Sequence, residues 1–461
     1  MKLFIKSFGC QMNKLDTGLV SSAFQEAGYE LTDNEDDADL VFMNTCSVRE
    51  NAEKRVLSRL GYFKHLKKTK PDLIVGVIGC MAQRLGDELL KNEAVDIVCG
   101  PSQIPNLRQI VDDFKEKHQK IATVSADIRS KPEETEQKTL DNFEFAYDSD
   151  QENIKGQAFV RVMRGCNNFC SYCIVPYVRG PEVSRPPQQI LQQIRKLTET
   201  GVRQVTLLGQ TVNSYSYTEN GKTYMLGDLL EMIAEIDQIK WIRFITSYPN
   251  LKYDEPLFKA MGQIEKVSPY LHMPAQSGSN NILKAMNRKY TAEQYLDMLA
   301  LARDYVPDIA IASDFIVGFP GETDQDYQQT VELVQKAFYK NIFVFKYSPR
   351  PGTKTDRKLE DSVPEEVKKE RNNHLLGIQE PISGRFNEQF MGKTVEVMVE
   401  GLSKKPHLNN ADGLNNPQLI GRTSQDGIVV FNGPESLSGS FAKVKINKTA
   451  PLTLFGELEG Y

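Results

Sequence analysis

The chain of 461 residues lacks any apolar run approaching the ~20 residues that a bilayer crossing needs. Its first residues, Met1-Lys2-Leu3-Phe4-Ile5-Lys6, alternate like a strand and lack the apolar core of a secretion signal. A cytoplasmic protein with no membrane partner is therefore expected. Cysteine is sparse, at seven residues, and in that compartment cysteine serves metal binding or catalysis rather than disulfides. A large charge of one sign is also absent. The formal net charge is −5. The stretch Ser125 to Lys155, with nine acids against four bases, accounts for all of it. A mildly acidic total does not exclude an RNA partner, because local patches matter more than the sum. The length suggests about three domains.

Three of the seven thiols stand together in Cys166-Asn167-Asn168-Phe169-Cys170-Ser171-Tyr172-Cys173, after an alternating apolar run from Ala158 to Met163. Three ligands in so short a loop suit an iron–sulfur cluster. A cubane has four irons, so three cysteines leave one iron open to a substrate or cofactor. Zinc would also accept thiolates, but a structural zinc site normally takes four protein ligands, and no fourth Cys or His lies nearby. The octapeptide resembles the signature of the radical S-adenosylmethionine (SAM) enzymes, with Tyr172 as the aromatic before the third cysteine. The resemblance implies a [4Fe-4S] cluster on Cys166, Cys170 and Cys173. Its open iron would hold SAM, which an electron from the cluster splits to a 5′-deoxyadenosyl radical.

The N-terminal third alternates strand and helix, which predicts a parallel sheet with helices on both faces. Cys10, Cys46 and Cys80 each follow a predicted strand and precede a helix. In a parallel sheet such ends share one edge, where ligands collect. Helix N-termini there favour thiolates. A second three-thiol site is expected. Cys99 also follows a short strand and reads either as a fourth ligand or as a core thiol; the latter is preferred. Gly9-Cys10-Gln11-Met12-Asn13, Asn44-Thr45-Cys46-Ser47-Val48-Arg49-Glu50 and Gly79-Cys80-Met81-Ala82-Gln83-Arg84 resemble the N-terminal domain of the methylthiotransferases, which are two-cluster radical SAM enzymes. Gln-Met-Asn and Ser-Val-Arg-Glu resemble the MiaB-type branch, which acts on isopentenyl-adenosine beside the tRNA anticodon. From Lys54 to Lys70 there are seven Lys/Arg and no acid, with Tyr62 and Phe63 interleaved. This run reads either as an RNA-phosphate contact or as a solvated helix face.

Residues 118–153 read as an acidic surface linker between a first domain, 1–117, and a central one, 154–384. The central part carries about six strand–helix units, an open parallel barrel with chemistry at the strand C-termini. Radical SAM cores resemble this partial (βα)6 barrel. Three strand ends carry motifs. Gly209-Gln210-Thr211 and Val317-Gly318-Phe319-Pro320-Gly321-Glu322-Thr323 resemble the superfamily's SAM-lining motifs, implying that Tyr172, Gly209, Gln210, Gly318 and Glu322 contact the cofactor. His272-Met273-Pro274-Ala275-Gln276-Ser277-Gly278-Ser279 resembles a stretch found across methylthiotransferases. Each also fits an ordinary tight turn. Arg164 and Thr211 stand where many MiaB-type members have Glu and Asn. Arg179, Glu182 and Arg185 face either the tRNA or ordinary surface salt bridges.

Beyond a long polar helix, Glu365–Phe390, five short strands between Gly/Asn/Pro turns, Thr394–Val399, Gln418–Arg422, Ile428–Phe431, Phe441–Lys445 and Leu452–Leu458, predict a small OB-like β-barrel, with the domain bounded at 385–448 and a C-terminal tail to 461. It resembles the TRAM domain, an RNA-binding module of tRNA-modifying enzymes. The family resemblance implies an enzyme with two [4Fe-4S] clusters and two SAM per turnover, acting as a monomer. It would convert N6-isopentenyladenosine at tRNA position 37 to its 2-methylthio form. The second cluster, on Cys10, Cys46 and Cys80, would hold the sulfur. An external reductant, flavodoxin or ferredoxin, would supply electrons. Two alternatives stay open on the residues alone: the same chemistry on a ribosomal-protein aspartate, and a non-catalytic iron–sulfur RNA-binding protein. A second cluster that only relays electrons is a third.

Overall fold

A computed structural model describes the chain except residues 48–49, 131–132, 146–154, 405–415 and 461. Val48 and Arg49 of the second cysteine motif thus lie outside the described residues. Strands β1 (Lys2–Phe8), β2 (Glu30–Leu31), β3 (Leu40–Thr45), β4 (Ile74–Gly79), β5 (Ile97–Cys99) and β6 (Ile121–Thr123) form a parallel sheet in the order β2-β1-β3-β4-β5-β6. β3 and β4 are buried throughout, as continuous apolar runs covered on both faces must be. Helices Gln11–Glu26 and Leu107–Lys117 cover one face through Val20, Phe24, Leu107 and Val111. Helix Glu50–Leu66 covers the other through Val56, Leu60 and Phe63.

The stretch expected as an acidic linker is instead built into the fold. β6 extends the first sheet, with Ile97 opposite Ile121. Glu134–Phe145 is a helix that buries Asp141 and Glu144. Their partners are arginines of the central part: Glu144 pairs with Arg161 and Arg164 at 2.8 Å each, and Asp141 with Arg185 at 3.2 Å. An acid-rich composition looks solvated until its distant partners are known. Residues 131–132 and 146–153 of this stretch are outside the described ones.

The central part opens with β7 (Gln157–Arg161). A short antiparallel ribbon, β8 (Met163–Arg164) against β9 (Val183–Ser184), brackets the thiol loop. After β10 (Gln204–Leu208) and a surface hairpin, β11 (Ser216–Glu219) with β12 (Lys222–Met225), come β13 (Trp241–Ile245), β14 (Tyr270–His272), β15 (Ala310–Val317) and β16 (Asn341–Lys346). β7-β10-β13 and β14-β15-β16 pair in parallel, and a parallel bridge between Ile242 and Val267 joins the two halves. The expected open barrel of six parallel strands is present. Ile242, Phe244, Leu271, Ile311, Phe315 and Ile342 point outward under the helices.

Helix Glu365–Glu388 leads to a closed barrel of β17 (Thr394–Leu402), β18 (Gln418–Arg422), β19 (Ile428–Asn432), β20 (Phe441–Thr449) and β21 (Leu454–Leu458). β21 matches the fifth short strand expected over Leu452–Leu458 and closes the barrel between β19 and β20, so the barrel runs past the expected bound at 448. This barrel plugs the N-terminal end of the open one. Tyr270, Ala310 and Ala312 share a core with Phe386, Phe390, Val397 and Leu419. Among the described residues no helix is long and apolar enough to cross a membrane.

Candidate active site

β1, β3 and β4 are neighbours, and their last residues align as Phe8, Thr45 and Gly79. Cys10, Cys46 and Cys80 follow one or two residues later, so the register alone sets all three on one sheet edge. Glycine makes the approach possible. A Cβ on Gly9 would stand 2.6 Å from Cys46 Cβ, and one on Gly79, whose φ is +93°, would stand 2.5 Å from Asn44 Oδ1. Asn13 Nδ2 donates to Asn44 Oδ1 at 2.9 Å, tying the first two cysteine loops together. A hydrogen bond with Cys46 pulls the Cys10 thiol down to about 6. Burial opposes this, and Arg179 with the backbone N–H groups of Asn13 and Met12 assists. Burial pushes the Cys80 thiol up, against Arg179. Cys99 ends β5, opposite Ile78, and packs in the core beneath Phe24 and Leu107, where burial holds its thiol protonated.

The loop of Cys166, Cys170 and Cys173 is fastened from three sides. Ser171 N donates to Met286 O at 2.9 Å and Ser171 Oγ to Ala285 O at 2.8 Å. Asn287 Nδ2 donates to Phe169 O at 2.8 Å, holding a residue with φ +50°. Arg129 donates to Cys166 O and Asn167 Oδ1 and lies over the Phe169 ring. Tyr172 packs edge-on against Phe319. Burial raises the Cys166 thiol to about 11 and the Cys173 thiol further. Beside Cys170 lies Arg288, half-buried, with Nη1 3.6 Å from Cys170 Sγ and its plane over Tyr248. Its Nε is buried with no hydrogen-bond partner among the described residues.

The sheet edge that bears Cys80 meets the segment just past the barrel's thiol loop. Arg179, six residues past Cys173, donates Nε to Cys80 Sγ at 3.2 Å and pairs with Asp16 at 2.9 Å. Cys80 packs against Ile174 and Val178 of the barrel loop. Cys10 and Cys170 both border the same central core. Of the two readings of Arg179 and Arg185, tRNA contact or surface salt bridges, the structure shows ion pairs, but with both side chains buried rather than at the surface. Glu182 accepts from Asn167 N and Thr211 Oγ1. In the basic run of the second helix, Arg59, Lys64 and Lys67 pair with Glu35, Glu93 and Asp96 of the same sheet domain. Sequence reasoning missed Asp16, Arg129 and Arg288, which carry no local motif.

The residues expected to line SAM are dispersed around this centre. Gly209 packs against Met163, which a Cβ would approach to 2.6 Å. Gln210 Oε1 is buried without a hydrogen-bond partner among the described residues. Gly318 has φ +70°, and its open side is filled by the Lys368 stem. Glu322 accepts from Gly318 N at 3.1 Å and pairs with Arg371 at 2.7 Å, so in this arrangement it clasps its own turn. Burial raises its carboxyl nonetheless.

Among the described residues no three His, Cys, Asp or Glu side chains converge on a single metal ion. A cubane has irons at separate corners and takes thiols that stand farther apart. The donor chemistry fits: each set offers three soft ligands, and Arg179 and Arg288 stand ready to balance thiolate charge.

Three stretches match known families: residues 2–100 the uncharacterized protein family UPF0004, 160–334 the radical SAM superfamily, and 388–458 the TRAM domain. The chain is 43% identical over 456 residues to the tRNA-2-methylthio-N(6)-dimethylallyladenosine synthase of Parabacteroides distasonis, covering 99% of this chain and 95% of the relative. Enzymes of the same name from Bacteroides thetaiotaomicron and Rhodopirellula baltica are 43% and 40% identical, over 99% of this chain and 96% and 95% of theirs. Among solved structures, the radical SAM methyltransferase TsrM of Kitasatospora setae superposes with a TM-score of 0.53 at 12% identity, over 74% of this chain and 72% of that one. That likeness concerns the fold alone. Membership of the superfamily implies a [4Fe-4S] cluster and SAM. On the full-length identity to these relatives, the chain belongs to the tRNA-2-methylthio-N(6)-dimethylallyladenosine synthase family.

Proposed function

We propose that the chain replaces the C2 hydrogen of N6-dimethylallyladenosine at position 37 of tRNA with a methylthio group. The observation that carries this is the contact of Cys80, at the sheet edge of one thiol set, with Arg179, just past the loop that bears the other. Cys166, Cys170 and Cys173 would hold the cluster that works with SAM, and Cys10, Cys46 and Cys80 a second one. When bound, these groups supply one-electron chemistry, the sulfur and, from a second SAM, the methyl group.

The chain's own residues prepare the place. Arg179 and Arg288 offset negative charge at buried thiolates, where an uncompensated charge is costly. Phe319, Tyr172 and Tyr347 close an apolar wall behind the barrel loop and exclude water. Tyr172, Gly209, Gln210, Gly318 and Glu322 are the proposed SAM contacts, Gln210 with an acceptor to spare. The closed C-terminal barrel, a TRAM domain, supports an RNA partner, the anticodon stem-loop. A cytoplasmic monomer served by a flavodoxin- or ferredoxin-like donor completes the reading.

The test is anaerobic incubation of the reconstituted enzyme with SAM, a strong reductant and a prenylated anticodon stem-loop, followed by nucleoside mass spectrometry. A 2-methylthio nucleoside is expected, together with about eight irons per chain. Product on ribosomal protein but not on RNA would refute the substrate assignment.

A further inference from the structure

Register divides the barrel strands into two faces. On β15, Ile311, Phe315 and Val317 point outward into the helix-covered core. Ala310, Ala312, Asp314 and Ile316 therefore point into the lumen. Asp314 is opposite Phe343 and Ile316 opposite Phe345, so both phenylalanines share that inner face. The lumen is plugged below by the closed barrel, which takes up Ala310 and Ala312. Above it, Ile316 packs beside Tyr172 of the thiol loop. Between plug and loop, Phe343 is 47% exposed and Phe345 37% exposed. The exposed parts of the two rings, on the inner face of the barrel's edge strand, are apolar surface that a ligand can cover. Beside them stands a polar pair. His272 Nε2 lies 2.9 Å from Asp314 Oδ1, and the His272 ring meets Phe343 edge-on with centroids 6.2 Å apart.

We infer that Phe343 and Phe345 form the apolar wall that receives the dimethylallyl group of the substrate adenosine, and so determine specificity for prenylated RNA. This rests on the proposed function. A branched five-carbon tail has no polar atom, and its transfer from water onto aromatic rings is favourable. The purine that carries it has ring nitrogens that need polar neighbours, and the His272–Asp314 pair supplies them at the same depth. SAM has no such tail, so a prenyl-dependent effect reports on the RNA alone.

The experiment measures binding of the cluster-loaded enzyme, by anaerobic fluorescence anisotropy, to two anticodon stem-loops that differ only in the dimethylallyl group. Phe343→Ala and Phe345→Ala should weaken binding of the prenylated RNA about tenfold and leave the unprenylated RNA unchanged. Phe343→Gln, similar in length but polar, should do the same, and Phe343→Leu should restore most of the preference. Should an alanine variant lose iron, the glutamine and leucine pair decides. Equal weakening of both RNAs, or of neither, overturns the inference while wild-type product formation stands. Absence of methylthio product from the wild-type enzyme on prenylated RNA overturns the proposed function and the inference with it.

Discussion

Arg179 Nε stands 3.2 Å from Cys80 Sγ, a bond between residues 99 apart in the chain. It joins the sheet domain to the barrel between Cys80 and the segment that follows the barrel's thiol loop. The same guanidinium pairs with Asp16, on the helix that follows Cys10. One buried cation thus touches the edge of one thiol set and is tethered through its own loop to the other.

Replacing Arg179 with Met should leave Asp16 with Arg161 alone and Cys80 without its donor. A loss of about 3 kcal/mol in unfolding free energy is expected, in line with breaking a buried ion pair. Iron should fall by about half, from the sheet-domain site. Urea unfolding and iron analysis check the two parts separately; unchanged iron would dissociate Arg179 from that site.

Cys46→Ala and Cys173→Ala should differ. The first should retain reductant-dependent 5′-deoxyadenosine formation, lose about half the iron and give no methylthio product. The second should lose both activities. Chromatography of the two products distinguishes a sulfur-bearing second site from one that merely relays electrons, because a relay is bypassed by a strong reductant.

Glu144→Gln removes the carboxylate shared by Arg161 and Arg164 and leaves both cations buried. A destabilisation of about 3 kcal/mol is expected by chemical denaturation. Behaviour like wild type would return helix Glu134–Phe145 to the status of a dispensable linker.

Lys340 provides a pH signature for docking of the C-terminal barrel. Burial lowers its ammonium to about 8 from 10.5, although Asp426 opposes the shift. Between those values the unfolded chain holds a proton that the folded chain lacks. This group therefore makes stability rise with pH from about 8 to about 10.5, by up to about 1.4 kcal/mol per unit. The penalty is full below about 8. Lys340→Met should flatten that part of the profile in urea midpoints measured across the window.

Truncation after Thr449 removes β21 and leaves β19 and β20 with open edges. Unpaired edges associate. Light scattering should show aggregation of the truncated chain, where a disposable tail would leave it monodisperse.

What could be read from the chain alone was whatever neighbouring residues express together. The Cys166–Cys173 spacing is local chemistry. Placing Cys10, Cys46 and Cys80 after successive strands needs only the rule that parallel strands end on one edge, and the aligned ends Phe8, Thr45 and Gly79 show why that rule suffices. Partners distant in sequence are another matter. Asp141 and Glu144 looked like solvated acids because the arginines that neutralise them come from other strands and loops. Arg179 and Arg185 looked like surface residues for the same reason. Phe343 and Phe345 read only as part of an apolar strand; that they face the lumen, 47% and 37% exposed, follows from the register of β16 on β15. Periodicity and spacing encode which way a side chain points within its own element. What it meets there is settled by the other elements, since charge and apolar surface acquire their energy only from what is brought against them.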